Sequence, residues 1–315
     1  MTKIARLYYE ENRRQSEIAA RLDISQATVS RLLKRASEEG IVRIRIIPPS
    51  RIYSDLETAI QNLYDLKDVV IVDVEDADDE QEIQRNLGIA TAFYLETTLK
   101  PGDVVGISSW SETLLATVDS MNPPAQPLAS QVVQILGGMG NPAAEVHANH
   151  LTTRLANLVG SQAKFLPAPG VVGSNNARMI MLDDPFVRET VSCFDRIDVA
   201  LVGIGALTPS KLLASSGNVF SQGEIEILHE GGAVGDICLR FFDSRGAPVI
   251  TPLDERVISM TFEQLRNTQR CVGIAGGQRK WAAIRGALEG EWINVLITDC
   301  FTARWLVKEG AGIGD

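Results

Sequence analysis

The chain has 315 residues, 45% of them hydrophobic, 22% charged and 6% aromatic, and a formal net charge of −10. This excludes a mostly disordered chain, a collagen-like repeat and a disulfide-built mini-protein, and the length suits two domains. No apolar run nears the roughly 20 residues of a membrane-spanning helix; no signal peptide is visible at the start; and four scattered cysteines without a CxxC read as reduced thiols of a cytoplasmic protein.

The charge is uneven. Residues 1–51 carry 11 Lys and Arg against six Asp and Glu, a local balance of +5, while the rest carry 19 against 34. A basic head on an acidic body points to a polyanion met by the head alone. Ile4, Leu7 and Tyr8 predict a first helix over 2–11, and Ile18, Ala19 and Leu22 a second from Gln15 or Ser16. Asp23-Ile24-Ser25 breaks the pattern, with Ser25 as an N-cap. A third helix over 26–38 carries Val29, Leu32, Leu33 and Ala36 as one stripe, and Gly40 ends it. Ile41 to Ile46 alternates apolar and basic residues and predicts a short wing strand, stopped by Pro48-Pro49.

Two short helices joined by a tight turn, the second with a polar outer face, form a helix-turn-helix that reads DNA. The N-terminal end of the reading helix offers Ser25, Gln26, Ala27 and Thr28, and one turn later Ser30 and Arg31. Gln can pair with adenine and Arg with guanine. Ser16, Arg13, Arg14, Lys34 and Arg35 would position the unit on phosphates. The alternative is a three-helix protein-binding module with surface arginines.

Residues 53–66 predict a helix connecting head to body. Apolar strands then alternate with amphipathic helices, with strands expected at 69–74, 104–107, 132–136, 199–204, 237–241, 271–275 and 293–298. Most are continuous apolar runs, as in a parallel sheet covered on both faces. Helices are expected near 80–99, 112–121, 145–158, 184–195, 224–229, 280–288 and 301–308. The run Asp76 to Glu80 reads as an acidic surface loop. The domain expectation is therefore 1–50 for the DNA-binding head, 51–66 for the connector and 67–315 for an α/β effector domain.

Small-residue loops follow several strands: Gly106 to Thr113, Gly137-Gly138-Met139-Gly140, Gly203-Ile204-Gly205, and Gly276-Gly277-Gln278-Arg279-Lys280. Ligands bind at strand C-terminal ends in open α/β sheets, and glycine permits close backbone approach. Ser108, Ser111 and Thr113 add hydroxyls and Lys280 a positive charge, which together suggest a cradle for a small anion. For any one loop, the alternative is that glycine only permits a tight turn. No P-loop is present, and Gly138 to Ala143 fits GxGxxA only formally, with Pro142 inside it, so no nucleotide cofactor is expected. Glu145, His147 and His150 are too few for a metal site.

The head from Gln15 to Ala36, Gly235-Asp236-Ile237 with Arg240 to Asp243, the Gly276 to Lys280 loop and Asn294 to Asp299 together resemble the SorC family of sugar-responsive bacterial transcription regulators. The resemblance covers nearly the whole chain. It implies a winged helix-turn-helix head and a Rossmann-like effector domain similar to glucosamine-6-phosphate deaminase and ribose-5-phosphate isomerase. It also implies a homotetramer and a sugar, polyol or sugar-phosphate effector. By the same resemblance, Gly106, Ser108, Ser109, Trp110, Ser111 and Thr113 belong to the effector loop, Lys280 closes on the bound group and Asp236 faces sugar hydroxyls. Gly137, Gly138, Gly276 and Gly277 complete the expected site. Relatives often have Gly after the tryptophan, where this chain has Ser111; a Cβ narrows the cradle there, and the neighbouring Glu112 would disfavour a phosphate if it points inward.

The expected function is a regulator, a repressor of a carbohydrate catabolic operon, that binds operator DNA as a homo-oligomer and has no catalytic residues. The competing reading is a sugar-phosphate isomerase or deaminase fused to a DNA-binding head, since a shared fold does not decide function.

Overall fold

The computed structural model describes residues 1–38, 41–42, 53–122 and 126–311. The chain divides into two compact units, Met1–Arg51 and Ile52–Asp315, each with its own apolar core.

Three helices make the first unit: α1 (Thr2–Tyr9), α2 (Gln15–Leu22) and α3 (Gln26–Glu38). The predicted stripes meet in its core, with Ile4 and Leu7 from α1, Ile18 and Ala19 from α2, and Val29, Leu33 and Ala36 from α3 all buried. Asp23 ends α2 in the left-handed region (φ 53°), which Asp tolerates better than most residues. Its backbone N–H donates to the Ala19 carbonyl. Ser25 then caps α3, its Oγ accepting from the Thr28 N–H at 3.1 Å. The expected wing strand lies outside the described residues beyond Val42, as do Gly40 and Pro48-Pro49.

The second unit is a seven-stranded sheet with helices on it and a small second sheet. The strands are β1 (Asp68–Val72), β2 (Val104–Ile107), β3 (Gln131–Gln134), β4 (Gln162–Lys164), β5 (Val199–Gly203), β6 (Gly205–Ala206), β7 (Ala233–Ile237), β8 (Arg240–Asp243), β9 (Arg270–Ile274) and β10 (Val295–Asp299). The large sheet runs β1-β10-β9-β5-β2-β3-β4, and every pairing in it is parallel. Val199, Ala200, Leu201 and Val202 of central β5 are fully buried, which explains why such strands read as unbroken apolar runs.

The helices are α4 (Ser54–Tyr64), α5 (Glu80–Thr98), α6 (Glu112–Ser120), α7 (Pro142–Leu158), α8 (Asn175–Asp183), α9 (Pro185–Val191), α10 (Lys211–Ser216), α11 (Gln222–Glu230), α12 (Phe262–Asn267), α13 (Trp281–Glu289) and α14 (Cys300–Ala311). Helix α4, where the sequence suggests a connector, packs through buried Ile60 against β1 and α14 and belongs to the second unit.

Three expectations change. The single strand expected at 237–241 is the tip of a hairpin: β6, β7 and β8 form an antiparallel sheet of their own. Cys238 (φ 53°) and Leu239 (φ 63°) make its two-residue turn, with both residues left-handed as a tight hairpin requires. Two apolar residues carry no turn signal, so the reversal was hidden in the sequence. The helix expected at 184–195 is α9 plus a separate 3-10 turn at Phe194–Arg196. The polar edge strand β4 and the short helices α8, α10 and α12 escape a reading based on long apolar runs.

Leu201 is fully buried in the central strand, whereas Ile250 is 87% exposed. Leu201→Ala is expected to lower unfolding stability by about 2–5 kcal/mol and Ile250→Ala by no more than about 0.5 kcal/mol, measured by urea denaturation.

Candidate DNA-reading face and effector cleft

On α3, Gln26, Ala27, Ser30, Arg31, Lys34 and Arg35 are exposed, opposite buried Val29 and Leu33. Thr28 is half-buried; its Oγ1 lies 2.9 Å from Ser25 Oγ and accepts from Arg31 Nη2 at 3.3 Å. Ser25 thus works as a cap, with its hydroxyl engaged inside the motif. The link from Thr28 to Arg31 draws the guanidinium over the N-terminal turn of α3, the end that enters a major groove in this motif. Ser16 is exposed on the first turn of α2, and Arg13 and Arg14 are exposed just before it.

In the second unit, β2 leads outward to β3 while its neighbour β5 leads the other way to β9. Such a reversal opens a crevice at the strand C-terminal ends. A cavity of about 150 Å3 lies there. Ser108, Trp110, Ser111, Glu112 and Thr113 line it from the loop after β2. Gly203 ends β5, Ile204 to Ala206 and Thr208 to Ser210 come after it through β6, and Gly276 to Lys280 follow β9. The hairpin contributes Asp236, Cys238 and Leu239, and the start of α5 contributes Asp78, Glu80, Ile83 and Gln84.

Eight of the twelve expected effector residues therefore share one cleft: Ser108, Trp110, Ser111, Thr113, Asp236, Gly276, Gly277 and Lys280. The other four do not line it. Gly106 sits within β2, where a Cβ would press on Ile135 and Ile197. Gly137 lets the chain pass against the Pro169 backbone, and a Cβ on Gly138 would strike the Gln134 side chain. Ser109 donates its hydroxyl to the Leu136 carbonyl at 2.6 Å. These residues hold the cleft wall from behind, and Trp110 joins them through Nε1 to the Gly137 carbonyl at 3.0 Å.

Asp299, at the end of β10, was not among the expected site residues. Its Oδ2 accepts from the Gly277 N–H at 2.8 Å and from Thr302 Oγ1 at 2.6 Å, and its Oδ1 accepts from the Phe301 and Thr302 N–H groups at 2.9 Å. A Cβ on Gly276 would fall 2.4 Å from Oδ2, and Gly277 has φ +90°. The two glycines thus let their loop wrap a buried carboxylate. The start of α5 lies where a helix from residue 80 was expected, but its residues were not among the expected site residues, because the acidic run reads as solvated surface. Asp79, whose side chain accepts from the Gln81 and Glu82 N–H groups, was the available signal of a helix start after β1.

Burial raises the Asp236 carboxyl to about 6, opposed by the Leu239 N–H that its Oδ2 accepts at 2.9 Å and by Lys280. Burial, then neighbouring Arg279, lower Lys280, while Asp236, Glu80 and Glu112 support its charge. Arg279 is paired with Glu80 at 3.1 Å, and Gln84 Nε2 donates to Glu112 Oε2 at 3.1 Å. Burial pushes the Cys238 thiol up to about 12. The side chains of Glu145 and His147 lie outside the described residues; among the described ones no group of three or more His, Cys, Asp or Glu is placed to hold a metal.

Residues 51–308 match the Sugar-bind family model, that of a sugar-binding domain, and residues 2–39 match Sigma-70 region 4, a helix-turn-helix. The chain is 33% identical over 305 residues to the deoxyribonucleoside regulator of Bacillus subtilis, covering 97% of this chain and 96% of that one. It is 32% identical over 310 residues to the sorbitol operon regulator of Klebsiella pneumoniae, covering 98% and 97%. The crystal structure of the full-length sorbitol operon regulator SorC from Klebsiella pneumoniae matches with a TM-score of 0.73 at 31% identity over 97% of both chains.

Asp236 gives the cleft a pH signature. Its folded-state value of about 6 lies above the ordinary 3.8. Between these values the folded chain keeps a proton that the unfolded chain has lost, so this group's contribution to stability falls as pH rises from about 4 to about 6. The interval corresponds to roughly 3 kcal/mol. Asp236→Asn is expected to gain stability relative to the parent across that window and to hold the gain above it, read by urea denaturation at each pH. A difference that is constant with pH would overturn the assignment.

Proposed function

The chain belongs to the SorC family of sugar-binding transcriptional regulators, and on that footing we propose that it controls a carbohydrate catabolic operon as a ligand-responsive repressor. The observation that carries this reading is the convergence of Ser108, Ser111, Thr113, Asp236 and Lys280 on one cleft of a chain whose head exposes a polar α3 face. The fused isomerase or deaminase falls away, because the relatives are regulators and not enzymes.

Residues 1–50 bind operator DNA, 51–66 connect, and 67–315 bind the effector, a sugar, polyol or sugar phosphate. Gln26, Ala27, Thr28, Ser30 and Arg31 contact base edges, while Ser16, Lys34 and Arg35 contact phosphates. Ser25 orders the turn that presents them. No described helix is long and apolar enough to cross a membrane, and we place the protein in the cytoplasm with its DNA. Exposed Met179, Ile180 and Phe186 on α8 and α9, and Ile89 and Phe93 on α5, support self-association into a dimer or tetramer. Effector binding reorders the cleft loops and changes DNA affinity through its different affinity for the two states.

The test is fluorescence anisotropy on the DNA upstream of its own gene and the neighbouring operon, with sugars, polyols and sugar phosphates titrated into the complex. Arg31→Ala is expected to lose about 1–3 kcal/mol of preference for operator over random DNA while still binding the ligand. Lys280→Ala is expected to bind operator normally and lose the ligand response. If both variants lose both properties, the division of labour is wrong.

A further inference from the structure

The cleft has more acids than bases. Asp78, Glu80, Glu112 and Asp236 line it, against Arg279 and Lys280. Arg279 is engaged by Glu80 at 3.1 Å, so among the described lining residues Lys280 is the remaining cation, and it faces Asp236 and Glu112. A phosphate ester would bring about 1.5 to 2 negative charges into that setting.

Two backbone donors beside the cleft that could offset such a charge are already engaged. The Gly277 N–H donates to Asp299, and the Ser108 N–H donates to the Leu201 carbonyl at 3.1 Å. Ser111 Oγ accepts from the Leu114 N–H at 3.3 Å, which ties the hydroxyl to the first turn of α6.

Glu112 occupies the first position of α6, where an anion would otherwise be received by a helix N-terminus. It is half-buried in the cleft wall, and the Gln84 amide holds its Oε2. We infer that this carboxylate makes the cleft a site for an uncharged polyhydroxy ligand and selects against the phosphate ester of the same ligand. The inference rests on the effector reading of the cleft.

Hydroxyls of such a ligand both donate and accept, which suits this lining. Glu112 and Asp236 offer acceptor oxygens, while Lys280 and Thr113 offer donors. At about 150 Å3 the cavity lies below the roughly 300 Å3 at which drug-sized ligand pockets begin. That volume suits a small polyol or sugar rather than a drug-sized compound. Gln84 acts through Glu112 and is a positioning residue.

The experiment is isothermal titration calorimetry on the full chain with matched pairs, namely erythritol, ribitol, mannitol, glucitol and the common pentoses and hexoses, each beside its monophosphate. Inorganic phosphate serves as a separate anion probe. At least one uncharged member is expected to bind at least about tenfold more tightly than its ester, since like charges brought together oppose binding. Inorganic phosphate is expected to give no saturable heat. Glu112→Gln, which keeps the amide contact to Gln84 and removes the charge, is expected to shrink the ratio about tenfold and to admit the ester. Gln84→Met is expected to shrink it less, with thermal unfolding checking that both variants stay folded. An ester that binds the parent as tightly as its uncharged partner, or a ratio unchanged in Glu112→Gln, overturns the inference and leaves the effector reading standing. Silence from every compound on the parent chain overturns both.

Discussion

A parallel strand must be followed by a crossover before its neighbour can form, so all seven strands of the large sheet deliver their following turns to one edge. The cleft depends on that constraint. Residues as distant in sequence as Asp78, Ser108, Gly203 and Lys280 meet because β1, β2, β5 and β9 point the same way. The reversal between β2 and β5 then separates the outgoing helices and leaves a gap between them. The small antiparallel sheet closes one side of this gap by pushing the β7–β8 turn into it.

Burying charge at such an edge demands compensation. Asp299 obtains it from two backbone N–H groups at the start of α14, one from the Gly277 loop and one threonine hydroxyl. The same carboxylate thereby fixes the register of the last helix and the shape of the Gly276-Gly277 turn. Asp236 is less well supplied: one backbone N–H and the charge of Lys280 stand against its burial, and its raised pKa follows from that shortfall.

The sequence was most legible where one residue does one local task. Ser25 and the stripe Val29, Leu33 and Ala36 gave the reading helix, because a cap and a period of 3.6 suffice for an element packed on one side. Buried strands were equally plain from their apolar runs. Glycines were less informative: they report a close approach but not what approaches. Gly276 and Gly277 border the cleft because they wrap Asp299, while Gly137 and Gly138 accommodate Pro169 and Gln134 behind it. The acidic start of α5 looked like solvated surface because its place opposite the other loops exists only once β1 is paired to β10.

The turn at the hairpin tip has an energetic meaning of its own. Cys238 and Leu239 are buried, lack the freedom of glycine and are both held at positive φ. Each such residue stands about 1–2 kcal/mol above an ordinary backbone conformation. Couplings between two ligand sites are typically about 1–3 kcal/mol. The tip therefore holds about 2–4 kcal/mol of backbone strain against the cleft, of the same order as such a coupling.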